Sequence, residues 1–503
     1  MVEPGKRNKS TREILDRRRA GVLLHPSSLP GCGDLGPEAY HFVDFLVSCG
    51  ASVWQVLPLV PSHDGSPYMG LSAIAGNPDL ISLFLLQECG WLPPGELGHH
   101  AGRIPKHHRK HCIRLAKRGF EKNASAQERQ AYDTFIQNHR DWLHDFALFM
   151  ALREEHNGAA WFQWPGSYRD RESNALKQAG SQLVTLVQEV YFEQFLFFRQ
   201  WNEIRKYANE RGVLIFGDMP IFVAHDSAEV WANRGCFDLH ADGSARTIAG
   251  VPPDYFSETG QRWGNPHYDW KVMKQDGFAW WRERVAAGLE QFDLIRVDHF
   301  RGFEAFWQIK AEAQTAIEGK WVKAPGKALF SALLQSFDDL PLVAEDLGII
   351  TPEVTALRDK FGFPGMKILQ FAFDGDANND YLPHNHVPNS VVYTGTHDNN
   401  TTLGWYEELD YGQKRAVYNY LGYHDEPMPW AMIRAACASV SRLVVVPMQD
   451  LLALNGSHRM NRPGVSDGNW QWRFNWNQIP EDMPTRFRRL LQMYGRDAFP
   501  EAL

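Results

Sequence analysis

Three acidic residues stand where chemistry could be done: Asp298 in IRVDHFRG, Glu345 in AEDLG and Asp398 in TGTHDN. Each follows an apolar, β-rich run: FDLIRVDHF (292–300), PLVAEDLG (341–348) and SVVYTGTHD (390–398). Arg296 lies two residues before Asp298, so both side chains leave a strand on the same face. A guanidinium beside a carboxylate favours the anion, the state a nucleophile needs. Glu345 emerges from an apolar strand, where partial desolvation raises a carboxyl pKa and suits a general acid. His299 and His397 adjoin two of the acids and can donate hydrogen bonds to hydroxyl groups. Taken singly, each acid also fits a structural role: an Arg–Asp ion pair, a capping or turn acid, a polar turn. Asp346 fits the capping role better than Glu345 does. Taken together, the three fit one chemistry. Cleaving a glycosidic bond with retention needs a carboxylate nucleophile and a carboxylic acid/base about 5–5.5 Å apart. A third acid can hold sugar hydroxyls and favour ring distortion.

Such a trio needs a scaffold that gathers the ends of distant strands. Five more apolar runs accompany the three above: GVLLH (21–25), SVWQVLPL (52–59), GVLIFGDMPI (212–221), MKILQFAF (366–373) and RLVVVPMQD (442–450). Continuous rather than alternating apolar runs suit parallel strands buried on both faces. Helical patterns lie between several of them. Residues 37–49 carry apolar side chains at 39, 42, 43 and 46 and stop at Gly50. Residues 351–361 open with Thr351 at the N-cap and Pro352 in the first turn, and end before Gly362. The expected fold is therefore α/β, a (β/α)8 TIM barrel with helical insertion subdomains around its C-terminal face, where barrel active sites lie. A doubly wound open sheet is the alternative. One catalytic barrel is expected over 1–503. About 150 residues separate the second and third runs, so an insertion of about 61–210 is expected, largely helical. Within it, Ser125 and Glu128 form a capping-box pattern leading into a helix with Tyr132, Phe135, Ile136, Leu143, Phe146 and Phe149. A second long helix is predicted over about 181–211.

Composition narrows the function classes. The 503 residues are 44% hydrophobic and 22% charged, as in a globular protein. A net charge of −8 argues against a general nucleic-acid binder, which needs a basic footprint. The 18 Trp, 16 Tyr and 30 Phe are mostly core by default, yet many sit in polar, Gly/Pro-rich stretches where flat faces would suit sugar rings. Six scattered cysteines with no C-x-x-C read as free thiols in a reducing compartment. The charged start lacks the apolar stretch of a secretory signal, and no run is long enough to span a membrane. A cytoplasmic protein without membrane partners is expected, a monomer or weak homo-oligomer. Gly31-Cys-Gly33-Asp-Leu-Gly36 matches a dinucleotide fingerprint, but HPSSLP separates it from the strand and no acid ends the next one. It reads as a polar barrel loop. KHHRKH (106–111), with His99 and His100, reads as a solvated basic segment, since its Lys and Arg would repel a metal.

At the three acids the sequence resembles the 4-α-glucanotransferases, the amylomaltases or disproportionating enzymes of glycoside hydrolase family 77. IRVDHFRG, AEDLG and THDN are similar to the family's nucleophile, acid/base and transition-state-stabiliser motifs. Further matches run from about residue 20 to 475: GSPY, SAIAGNPDLI, GDMPIFVAHDSAEVW, GVPPDYFSETGQRWGNPHYDW, NRPG and GNWQWR. The resemblance implies that Asp298 attacks the anomeric carbon of an α-1,4-glucan and that Glu345 is acid, then base. It implies that Asp398 stabilises the distorted ring. Asp218, Arg296, His299 and His397 would line the subsite of the cleaved residue, with Tyr68 stacking on or bonding to that sugar and Ser66 nearby. The long aromatic segment 250–270, with Asp254, Tyr255, Phe256 and Trp263, would be an active-site loop overhanging the cleft and helping to bind the acceptor; otherwise it is a surface loop packed by its own aromatics. No cofactor or metal is implied, because carboxylates suffice. Met69-Gly70 stands where SPYQS is frequent, and Arg462 and Val465 where NMPGT is frequent. These departures leave acceptor preference and product size open. An α-glucan hydrolase with the same acids, and a non-catalytic glucan-binding barrel, are the competing readings.

Overall fold

In the computed structural model, which describes residues 11–98, 102–253, 257–422, 425–465 and 467–499, the predicted runs become strands. In chain order the strands are β1 (Arg19–Leu23), β2 (Val53–Gln55), β3 (Leu214–Pro220), β4 (Thr247–Val251), β5 (Gln261–Pro266) and β6 (Leu294–Asp298). They continue as β7 (Ala305–Lys310), β8 (Gly319–Lys323), β9 (Leu342–Ala344), β10 (Gly365–Ile368), β11 (Ser390–Tyr393) and β12 (Leu443–Pro447). The eight predicted runs are the eight strands of one parallel sheet, ordered β10-β11-β12-β1-β2-β3-β6-β9. Its two ends meet. Ala344 N donates to Pro364 O at 2.8 Å, and Asp346, on the β9 side, accepts Met366 N of β10 at 2.7 Å and pairs with Arg358. The sheet is a nearly closed (β/α)8 barrel, not the open doubly wound alternative, and Asp346 bridges its seam rather than capping a helix as expected.

Strand periodicity sorts the side chains into two layers. One buried cluster collects Leu23, Val53, Phe216, Leu294, Val343, Met366, Val391 and Val445 in the barrel interior. The alternating residues, such as Val22, Trp54, Ile215, Ile295, Val297 and Val444, pack outward against the helices. Each fully buried side chain of this size contributes roughly 1.5–3 kcal/mol, so a lone charge on the inner parity would be costly. Two elements of the helical layer follow the sequence closely. The helix Pro37–Ser48 buries Ala39, Phe42, Val43 and Leu46. The helix Pro352–Lys360 buries Val354 and Leu357, although the Thr351 hydroxyl makes no capping bond to its backbone.

Between β2 and β3 the chain is largely helical, with corrections to the predicted boundaries. The capping box forms: Glu128 N donates to Ser125 Oγ at 3.2 Å and Ser125 N to Glu128 Oε2 at 2.9 Å. The single helix read from Tyr132 to Phe149 breaks at His139 into Ala126–Asn138 and Arg140–Glu155. The long helix is Val184–Glu210, separated at Leu183 from Ser173–Gln182. No Gly or Pro adjoins the break at His139; there Phe135 and Trp142 flank His139 on Phe198 of the long helix. KHHRKH begins the helix Lys106–Asn123, and its Arg109 is buried, donating to Ile81 O and lying 4.0 Å from Asp34. That residue is thus a packing element rather than a solvated charge. His99 and His100 lie outside the described residues.

The segment 250–270 differs most from expectation. It is not a plain loop but the arm of a second, antiparallel sheet ordered β5-β4-β7-β8. Gly250 permits the hairpin, because a Cβ there would sit 2.1 Å from Gln261 O. Frequent Gly and Pro disguised these strands as loop.

Candidate active site

Toward the carboxyl ends of three adjacent strands, inner parity turns from apolar to charged residues. Following Phe216, Leu294 and Val343 by steps of two leads to Asp218, to Arg296 and Asp298, and to Glu345. Register aligns them: Asp218 is directly across from Arg296, and Pro220 from Asp298. Arg296 donates from Nη1 to both Asp218 oxygens, at 2.8 and 2.6 Å, and from Nη2 to Asp298 Oδ1 at 2.6 Å. Tyr68 Oη donates to Asp218 Oδ2 at 2.7 Å. Burial alone would disfavour the Arg296 cation, but Asp218 and Asp298 outweigh it and hold its pKa above the usual value. The inner layer thus tolerates charge because each charge is paired. Arg296 and Asp218 side chains are 6% and 0% exposed, whereas Asp298 is 29% exposed and opens to the cleft. Replacing Arg296 by Met is expected to cost about 3–5 kcal/mol, the scale for removing one partner of a buried pair. Denaturant titration checks this, and a loss below about 1 kcal/mol would show that Asp218 does not depend on Arg296.

Glu345 stands beside Asp298. Val297 pairs with Ala344 and Glu345 N donates to Val297 O at 3.0 Å, so the β6–β9 register continues into the two acids. Neighbouring strands lie about 4.8 Å apart. His299, next in the chain, takes a left-handed backbone with φ of 51°, a sparsely populated state for a non-glycine residue. That twist lets His299 N donate to Glu345 Oε2 at 2.6 Å, while Leu347 N donates to Oε1 at 2.9 Å. Burial first, then the Asp298 charge, push the Glu345 pKa from 4.5 up to about 7; Arg296 and the two N–H groups act the other way. Burial also lowers the His299 pKa to about 4, leaving a neutral ring whose buried Nε2 has no hydrogen-bond partner. The Trp263 ring, from β5, meets the His299 ring edge-on at 4.9 Å. The second sheet therefore leans over the end of β6.

Asp398 approaches from β11, in a loop that begins at Thr394. Its side chain is 48% exposed, and His397 Nε2 lies 3.3 Å from Oδ2. Partial loss of water would raise its pKa, but His397 and a hydrogen bond from the Asn461 amide outweigh that and hold it below the usual carboxylate range. Tyr68 stacks on His397 with centroids 5.2 Å apart and planes 15° from parallel, bringing the β2 side and the β11 loop together. Ser66 Oγ accepts Tyr68 N at 3.3 Å and Ser66 N donates to Asp64 Oδ1 at 2.9 Å, so Ser66 orders the turn that presents Tyr68. Asp254, Tyr255 and Phe256 lie outside the described residues. One cleft, then, gathers carboxylates in two protonation regimes at the mouth of a barrel.

A family model described as 4-alpha-glucanotransferase, glycoside hydrolase family 77, matches residues 24–478. The chain belongs to this family. It is 49% identical over 499 residues to a 4-alpha-glucanotransferase of Synechocystis sp., covering 96% of this chain and 99% of that one. The enzyme of Thermus thermophilus with the same name is 48% identical, covering 95% and 99%. Among solved structures, amylomaltase from Streptococcus agalactiae in complex with acarbose is 38% identical with a TM-score of 0.92, covering 96% of this chain and 100% of its own. This 4-alpha-glucanotransferase transfers segments between glucans, the activity of its family.

Three residues of the glucanotransferase cleft were not assigned from sequence. Asn461 Nδ2 donates to Asp398 Oδ1 at 2.7 Å and Arg459 Nη2 to Asp398 O at 3.0 Å. Trp470, with φ of 63°, places its ring 5.8 Å from Tyr68 and 5.9 Å from His397. Asn461 and Trp470 fall within NRPG and GNWQWR, segments that carried the resemblance without a role. Among the described residues no group of three or more His, Cys, Asp or Glu could hold a metal ion, and no helix is long and apolar enough to cross a membrane.

Proposed function

We propose that Asp298 is the nucleophile, Glu345 the acid/base and Asp398 the stabiliser of a retaining double displacement on α-1,4-glucans. Asp298 attacks the anomeric carbon as the glycosidic C–O bond breaks, and the Glu345 proton passes to the departing 4-oxygen. A covalent glucosyl-enzyme remains on Asp298. Glu345, now a base, takes the proton from the 4-hydroxyl of an incoming glucan or glucose, whose oxygen displaces Asp298. The observation that carries this reading is the pair of acids in adjacent register, one paired with Arg296 and one pushed up to about 7.

Asp398 remains anionic and can hold hydroxyls of a distorted ring. Tyr68, Asp218, Arg296, His299 and His397 line the subsite of the cleaved sugar, with Ser66 behind Tyr68; the unpaired His299 Nε2 is available to a hydroxyl. Trp263, with Asp254, Tyr255 and Phe256, contributes to the acceptor side. Excluding water there while admitting a sugar favours transfer. The acarbose bound to the Streptococcus agalactiae relative supports an oligosaccharide cleft. Six free cysteines suit a reducing compartment, and we place the protein in the cytoplasm.

Incubation with maltotriose tests the reaction class. Transfer yields a ladder of longer and shorter oligosaccharides plus glucose. Products no longer than the substrate would instead mean that water is the acceptor.

A further inference from the structure

We propose that Asp450 is a positioning residue for the reaction: a buried carboxylate behind the cleft that clamps both ends of the loop carrying His397 and Asp398. Asp450 follows β12 and is 1% exposed. Its Oδ2 accepts from Thr394 Oγ1 and from Thr402 Oγ1, each at 2.6 Å, and its Oδ1 accepts Thr402 N at 2.7 Å. Thr394 is the residue after β11, and Thr402 opens the helix Thr402–Glu408. One carboxylate therefore joins the point where the catalytic loop leaves the barrel to the point where it becomes helix. Both threonines are fully buried, and no ion pair joins Asp450 among the described residues. An unpaired buried charge is costly, and here three short donors at a loop junction are its compensation.

Local bonds make the loop a rigid unit above this clamp. Thr396 donates from N and Oγ1 to Asn399 Oδ1 at 2.9 and 2.8 Å, and Asp398 N donates to Thr396 Oγ1 at 3.3 Å. Gln370 Nε2 donates to Asn400 O at 2.9 Å. From the cleft side, Asn461 holds His397 O through its N–H at 3.2 Å and Asp398 through its amide. Asp450 is the contact from beneath. Without it the loop can tilt as a body, carrying Asp398 away from the Asp298–Glu345 pair, although every contact to substrate is still present. Misplacing a reacting group by about 1 Å costs on the order of 100-fold.

This inference rests on Asp398 acting in the reaction, so the test includes it. Asp450→Asn, Thr402→Val and Thr402→Ser are compared with wild type and Asp398→Asn in maltotriose disproportionation, at a temperature where thermal melts show each variant folded. Clamping predicts that Asp450→Asn and Thr402→Val lower kcat about 10–100-fold with KM changed less than about threefold, while Thr402→Ser, which keeps the hydroxyl, restores most of kcat. If Asp450→Asn does not fold, the Thr402 pair decides. Lower melting temperatures with kcat unchanged, or equal kcat for Thr402→Val and Thr402→Ser, would overturn the inference. Full activity of Asp398→Asn would instead overturn the catalytic reading on which it rests.

Discussion

Asp298→Asn is expected to lower kcat for maltotriose disproportionation by at least about 10^4-fold, the scale seen when a covalent nucleophile is removed. The change is nearly isosteric. Its amide oxygen can still accept from Arg296 Nη2, which holds Asp298 Oδ1 at 2.6 Å, so the Arg296–Asp218 pair should keep its place. What disappears is the anion that attacks. A melting temperature within a few degrees of wild type, with product formation at background, is the expected combination. Activity within tenfold of wild type would remove Asp298 from the chemistry and leave it as a partner of Arg296.

Glu345→Gln should have the second largest effect, about 10^2–10^4-fold in kcat, the range for losing a general acid/base. Its pH dependence is more diagnostic than its size. Wild-type activity with a glucan donor requires a protonated Glu345, so the rate should fall as pH rises through about 7, and the variant should lack that limb. Stability should fall with pH in the same direction. The folded state binds a proton that the unfolded chain releases between pH 4.5 and about 7. The stabilising contribution of that proton is complete below about pH 4.5 and is lost as pH rises through about 7. A shift of this size corresponds to about 3 kcal/mol. The Gln variant, which does not titrate, should therefore gain up to about 3 kcal/mol over wild type at pH 8 relative to their difference below pH 5. Denaturant titrations at the two pH values measure this. A pH-independent difference would show that Glu345 is not the raised group.

The barrel was legible because its strands are buried on both faces and so appear as unbroken apolar runs, each ending at the polar cleft. Arg296, Asp298, Glu345 and Asp398 could be found for the same reason: polar residues at the ends of such runs are conspicuous. Features that depend on partners distant in sequence were not legible. Gly250 and Gly260 of the β4–β5 hairpin meet the facing backbone closely, and Gly reads as turn when no partner strand is known. The helix break at His139 goes with packing on Phe198 of a neighbouring helix and leaves no local signal. Asn461 acquires its role only when the C-terminal segment folds against the β11 loop, 63 residues from Asp398 in sequence. Asp450 ends a predicted strand just as the other acids do, yet its carboxylate turns inward to two threonines. Position along the chain could not separate that acid from those that face the cleft.

The most direct test is to trap the intermediate. Glu345→Gln is incubated with α-maltosyl fluoride, whose leaving group needs no protonation, so the first displacement can proceed while the base-assisted second one stalls. Peptide mass spectrometry should then find one maltosyl residue esterified to the Asp298 carboxylate in the peptide containing IRVDHF. Turnover without any adduct, or an adduct on Asp398 or another residue, would contradict the assignment of Asp298 as nucleophile.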